Sequence, residues 1–169
     1  KGGHIPSKSL EDVFAGLEES RKLAEQKLSF LAHYDTLTNL ANRRYFTECA
    51  QAALDRASVT RAPMLLMLID VDYFKQINDG HGHAAGDAVL REVARRLKAS
   101  VRKSDLVARL GGDEFVILCD DVDATYAAES LANKVITSMG APVSLDAARL
   151  KVTLSVGAAL CRDVFSLDE

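Results

Sequence analysis

The sequence predicts an α+β fold: a mixed sheet flanked by helices, with a separate helix in front. Three observations carry this. The continuous apolar run "PMLLMLID" (63–70) reads as a strand buried on both faces. "LVARL" and "EFVIL" flank a Gly-Gly pair, and two residues that tolerate positive φ between alternating apolar arms signal a β-hairpin. Amphipathic helical stretches separate these elements from each other and from a last apolar strand.

Taken in order, residues 1–9, "KGGHIPSKS", read as a linker or expression remnant. Residues 10–33 read as one helix. Leu10, Phe14, Leu17, Arg21, Ala24, Leu28 and Leu31 alternate spacings of four and three, an a/d seam interrupted once by Arg21. The pattern suits an amphipathic helix lying on the domain. It also suits a short parallel coiled coil pairing two chains, which the narrow seam and its place ahead of the core favour. Residues 34–169 then form the main domain. Asp35 and Thr36 are placed to cap a turn, and Asn39 to take a left-handed backbone. A helix is expected over about 43–57 and the buried strand over 63–70. A long amphipathic helix follows over about 84–102, with Leu90, Val93, Ala94 and Leu97 inward. After the hairpin come a helix over about 124–139 and a strand over 150–160. This order fits a ferredoxin-like, polymerase-palm α/β sandwich, in which the strand ending at Asp70 lies beside the hairpin that carries Asp113.

Composition narrows the function. The chain has 169 residues, 48% hydrophobic and 27% charged, with a formal charge of −3. That is one domain plus an appendage, with no basic footprint for nucleic acid. Cys49, Cys119 and Cys161 are odd in number and far apart, which suits a reduced, cytoplasmic protein better than a disulfide framework or a Cys metal site. No apolar run reaches membrane-spanning length, and no signal peptide is evident.

The chemistry lies in the acids. Asp70 ends the buried strand, and Asp72 follows two residues on, on the same face of an extended chain. Asp113 and Glu114 sit at a neighbouring turn. Three or four converging carboxylates repel one another unless a cation joins them. Oxygen ligands without cysteine select Mg²⁺ or Mn²⁺, as in two-metal phosphoryl-transfer sites. Each acid taken alone reads equally as a solvated loop carboxylate. "DVDYFKQINDG" lacks the acid alternation and glycine position of an EF-hand.

"RLGGDEF", "DVDYFKQINDGHGHAAGDAVL", "YDTLTNLANRR" and "VTLSVG" together resemble the GGDEF-domain diguanylate cyclases, from about Asp35 to Ala159. The resemblance implies a palm-like enzyme that condenses two GTP into cyclic di-GMP and releases two pyrophosphates. It implies Asp70, Asp113 and the Val71 carbonyl as ligands of Mg²⁺ or Mn²⁺. Asp113 is the implied acceptor of the 3′-hydroxyl proton, and Glu114 supports the metal or the base. Asn78 and Asp87 would read guanine; as isolated residues they also suit a turn and a helix cap. His83 falls at the substrate position of the family, and packing or capping at the start of the long helix is an equal reading. Phe74 and Lys75 would present backbone amides and a cation to the phosphates. Arg102 and Asp105, in "RKSD", occupy the position of the family's product-inhibition site, although a helix's last turn also favours a basic residue.

The resemblance further implies a homodimer of facing sites, joined by the N-terminal helix. Two departures stand out. Asn39 replaces a frequent glycine. The family also continues past the position of Glu169 with a helix, carrying a lysine and an arginine for the triphosphate, and a final strand, so this chain is expected to be truncated there. The alternative function is a non-catalytic GTP-binding regulatory module attached to another domain, such as a phosphodiesterase. Intact "GGDEF", Asp70, Asn78 and Asp87 favour the cyclase.

Overall fold

The computed structural model describes residues 9–120, 124–145 and 149–161. The expected leading linker and the lead-in to a further helix after Cys161 lie almost wholly outside the described residues. The chain divides into two units, Lys1–Ala32 and His33–Glu169.

In the first unit, helix α1 runs Leu10–His33. Its start is a reciprocal cap: the Asp12 amide donates to Ser9 Oγ at 3.2 Å, while the Ser9 amide and hydroxyl donate to Asp12 Oδ2 at 3.2 and 2.9 Å. Glu11 and Asp12 in the first turn also suit the helix dipole. No residue of α1 is buried, and Leu10, Phe14, Leu17, Leu28 and Leu31 of the seam are all exposed.

The second unit contains β1 (Ala41–Asn42), α2 (Arg43–Thr60), β2 (Met64–Val71), α3 (Phe74–His81), α4 (His83–Ser100), β3 (Leu106–Gly111), β4 (Glu114–Cys119), α5 (Ala124–Ser138), β5 (Val143–Ser144), β6 (Arg149–Leu150) and β7 (Leu154–Cys161). The main sheet has the order β1-β3-β4-β2-β7. β1 pairs parallel to β3 and the other pairings are antiparallel. Without β1 this is the ferredoxin-like order, with the first strand of the motif, β2, between the third and fourth.

The side chains of β2 alternate between two environments. Leu65, Met67, Ile69 and Val71 pack with Val89, Leu90, Val93 and Leu97 of α4 and with Val135 and Met139. Full burial of each such side chain contributes about 1.5–3 kcal/mol. Arg96 secures this layer: its guanidinium donates to the carbonyls of Ser138, Ala141 and Pro142 at 3.2, 2.5 and 3.3 Å, and to Glu92 at 2.7 Å.

The opposite face of β2 corrects the expectation of a doubly buried strand. Met64 packs with Ala53 of α2, but Leu68 is 54% exposed. An apolar run alone does not distinguish complete from half coverage of the second face. Asp70 lies on this open face, two residues beyond Leu68.

Three further boundaries differ from the sequence reading. The stretch before the long helix forms its own helix, α3, and only Gly82, with φ 84°, separates it from α4. The hairpin turn is Gly112-Asp113 instead of Gly111-Gly112. Gly111 pairs with Glu114, and the register slips by one residue at Leu110. Finally, Leu150 pairs with Val143 in the small β5-β6 sheet, so the last main strand starts at Leu154.

Candidate active site

Strand register brings the acids together. Asp70 stands opposite Glu114 on β4 and opposite Ser155 on β7. The turn residue Asp113 is tied in by its carbonyl, which accepts from the Val71 amide at 3.3 Å. Asp70, Val71, Phe74, Lys75, Asp79 and Asp113 line one cleft of about 510 Å³. Asp70 and Glu114 also border an adjoining recess with Ser155 and Gly157.

Partial desolvation, then the carboxylates of Asp113, Glu114 and Asp72, push the Asp70 pKa above the ordinary aspartate value. Neighbouring carboxylates of this kind are the donor chemistry a hard divalent cation fits.

Asp72 does not join as a ligand in the expected way. Thr153 and Ser155 donate their hydroxyls to its two oxygens, both at 2.6 Å, and the Ser155 bond, then the Thr153 bond, hold its pKa low. Among the described residues, no group of three or more His, Cys, Asp or Glu side chains is placed to hold one metal ion. The expected cluster of three or four carboxylates thus reduces to Asp70 and Asp113, with Glu114 alongside. Glu114 is 57% exposed and faces Arg43 at 3.6 Å. Arg43 in turn donates to the Leu110 carbonyl at 3.0 Å.

α3 begins beside this cleft. Phe74, its first residue, packs against the core, while Lys75 is exposed. No side chain caps its N-terminus, which leaves the first-turn amides available to an anion. Asn78, in the next turn, rests its carboxamide on Gly86 of α4, one residue before Asp87. Both Asn78 and Asp87 are half-buried. His83 is exposed at the first position of α4, whose cap is Gly82.

Arg102 and Asp105 lie elsewhere, at the turn from α4 into β3. They close that turn through the backbone: the Arg102 amide donates to Asp105 Oδ2 at 2.8 Å, and the Asp105 amide to the Arg102 carbonyl at 3.1 Å. Asp105 is buried and Arg102 exposed. Asp105 also lines a cleft of about 420 Å³ with Lys98, Lys103 and Arg56.

Sequence reasoning missed one contributor, Arg109. Its Nε and Nη2 donate to the Gly112 carbonyl at 3.0 and 2.7 Å, and Nη1 lies 3.1 Å from Asp35. The signal was an arginine two residues before a Gly-Gly pair, in a strand that is otherwise apolar.

A ferredoxin-like sheet that sets paired carboxylates at a strand end and an adjacent hairpin, beside an uncapped helix N-terminus, is a palm-type α+β domain. The chain belongs to the family described as diguanylate cyclase, GGDEF domain, whose pattern matches residues 32–167.

It is 44% identical over 144 residues to diguanylate cyclase TpbB of Pseudomonas aeruginosa (strain UCBPP-PA14), covering 85% of this chain and 32% of that protein. The chain thus spans a third or less of the length of these first curated relatives. A solved GGDEF-only form of TpbB from P. aeruginosa superposes with a TM-score of 0.73 at 44% identity, over 76% of this chain and 75% of that one. The coiled coil and GGDEF domain of DgcB from Caulobacter crescentus, solved with c-di-GMP, gives a TM-score of 0.77 at 30% identity, over 90% and 81%. No described helix is long and apolar enough to cross a membrane.

Proposed function

We propose that this chain is the catalytic domain of a diguanylate cyclase that joins two GTP molecules into cyclic di-GMP. The observation that carries this reading is the Asp70–Asp113 cleft, whose carboxylates repel one another, beside the N-terminus of α3. Asp70, Asp113 and the Val71 carbonyl would hold Mg²⁺ or Mn²⁺. When bound, the ion supplies positive charge to the phosphates and eases deprotonation of the attacking hydroxyl.

In each half-reaction the 3′-oxygen of one GTP forms a bond to the α-phosphorus of the other. The bond from that phosphorus to pyrophosphate breaks, and the hydroxyl proton passes to Asp113 or to water. Glu114 would support the metal or the base. The Phe74 and Lys75 amides, with the Lys75 ammonium, receive phosphate oxygens. Asp87 accepts from guanine N1–H and N2–H₂, and Asn78 meets the acceptor edge; His83, exposed at the start of α4, would also meet the substrate.

One domain holds one GTP, so the product's two-fold symmetry requires two domains face to face. The α1 seam would raise their effective concentration. Arg102 and Asp105 would bind the product as an inhibitor. Incubating the untruncated protein with GTP and Mg²⁺ and identifying the product by mass spectrometry tests the reading. Cyclic di-GMP is expected from the parent and not from Asp113→Asn; GTP left intact by the parent would overturn it.

A further inference from the structure

We propose that Gly86 is a positioning residue: the space left by its missing side chain is the seat of the Asn78 carboxamide, and through that seat Gly86 governs recognition of the base. The second half rests on the assignment of Asn78 and Asp87 to guanine made above.

Nothing local explains a glycine here. Gly86 is the fourth residue of α4, and it is not among the residues with positive φ. It follows Ala84 and Ala85. Alanine is the best helix former, and glycine the poorest after proline. Local preference alone therefore argues for a third alanine.

The neighbours argue the opposite. A Cβ on Gly86 would stand 1.9 Å from Asn78 Oδ1, 2.9 Å from Asn78 Cγ and 3.2 Å from Phe74 Cζ. The first two contacts are impossible. No other described glycine has a side chain in this place: Gly80, Gly82, Gly111 and Gly112 face open space, and Gly140 meets only a backbone carbonyl at 3.1 Å.

The clash is relieved only if the Asn78 side chain moves. Asparagine has two side-chain torsions, and both Cγ and Oδ1 are obstructed, so the whole amide must leave by a change of rotamer. The backbones are fastened at one joint. The Gly82 amide donates to the Asn78 carbonyl at 2.8 Å, and the Gly82 carbonyl accepts from Ala85 and Gly86 at 3.1 and 3.2 Å. Turning the amide out is easier than parting α3 from α4. A side chain at position 86 would thus strip the pocket of Asn78 and leave Asp87, its sequence neighbour, in place.

Four proteins test this in the full chain: parent, Gly86→Ala, Asn78→Ala and the double variant. Urea unfolding and calorimetric GTP titration are the readouts. Gly86→Ala is expected to lower the urea midpoint although it improves helix propensity. In the Asn78→Ala background the same change should leave the midpoint unchanged or raise it. GTP affinity should fall about tenfold in either single variant and no further in the double variant, because one seat is lost in all three.

Equal midpoint shifts in both backgrounds, or parental GTP affinity in Gly86→Ala, would overturn the proposal. If the parent binds no GTP, the guanine assignment fails, and the urea cycle alone decides the seat. If Gly86→Ala does not fold, recovery of folding in the double variant supports the seat, and failure of both overturns it.

Discussion

Arg109 and Asp35, 74 residues apart in sequence, meet at 3.1 Å in an ion pair whose side chains are only 13% and 23% exposed. Burial raises the Asp35 pKa, but the Thr38 hydroxyl and amide and the Arg109 guanidinium outweigh it and hold the carboxyl low. The same guanidinium grips the Gly112 carbonyl, immediately before Asp113. Arg109→Lys keeps the charge and loses the fork, so stability should fall by about 1–2 kcal/mol. Arg109→Ala should lose about 3 kcal/mol, because it leaves Asp35 unpaired. Urea denaturation measures both, and losses under about 0.5 kcal/mol in both variants would show that the pair is idle.

The acid pair should separate stability from activity. Asp113→Asn removes a like charge from beside Asp70, so the domain should unfold at the parental urea concentration or higher. Turnover should drop by about 10³-fold or more, the scale of several kcal/mol of lost metal assistance. Mg²⁺ should raise the melting temperature of the parent more than that of the variant. An equal rise in both would place the metal elsewhere.

Glu92 links stability to acid pH. The Arg95 hydrogen bond first, then Arg96, against a desolvation penalty, lower its pKa from 4.5 to about 2. The folded state therefore binds this proton more weakly than the unfolded state. The contribution is complete above about 4.5 and is lost as pH falls from there through about 2. Glu92→Gln should destabilise the protein at neutral pH and flatten the acid limb of its stability profile. Parallel limbs in urea titrations across that range would contradict this.

Product feedback should depend on Arg102. Its amide already closes a turn on Asp105, and the backbone bond survives substitution. Arg102→Ala should keep the initial rate and relieve inhibition by added cyclic di-GMP by about tenfold, as expected when a guanidinium fork to guanine or phosphate is lost. Unchanged inhibition in rate assays would reduce "RKSD" to a helix end.

The α1 seam makes the last test. Arg21 interrupts it and pairs only weakly along its own helix, with Glu25 at 3.7 Å, both side chains being exposed. Arg21→Leu should strengthen self-association several-fold and raise turnover, whereas Leu17→Glu with Leu28→Glu should lower both. Analytical ultracentrifugation and concentration-dependent rates report the outcome. Parental association in the double-Glu variant would remove the seam as the dimerising device.

The elements themselves were legible wherever the signal was local. The continuous apolar run of β2, the helical spacing of Leu90, Val93, Ala94 and Leu97, and the glycines at the hairpin all act within a few residues of chain. So does the left-handed Asn39, which has φ 57°. The spaced motifs identified the family because each preserves a short run of chemistry. Less legible was anything that needed a neighbour. "PMLLMLID" does not reveal that α2 covers only the first half of one face of β2, and "GGDEF" does not reveal that the turn falls one residue late.

The candidate site divides along the same line. The sequence by itself determined that Asp70 would fall at the end of a strand and that Asp113 would sit at a turn. Only the tertiary structure decided which of them act together. The register of β2 against β4 and β7 sets Asp70 beside Glu114, and the Ser155 and Thr153 hydroxyls, more than 80 residues away, occupy both oxygens of Asp72. Arg109 and Gly86 acquire their roles from contacts with Asp35 and Asn78. Backbone preferences and side-chain periodicity are short-range and are written residue by residue. Charge repulsion, hydroxyl capture and the exclusion of a methyl group act through space, and therefore exist only once the sheet and helices have packed.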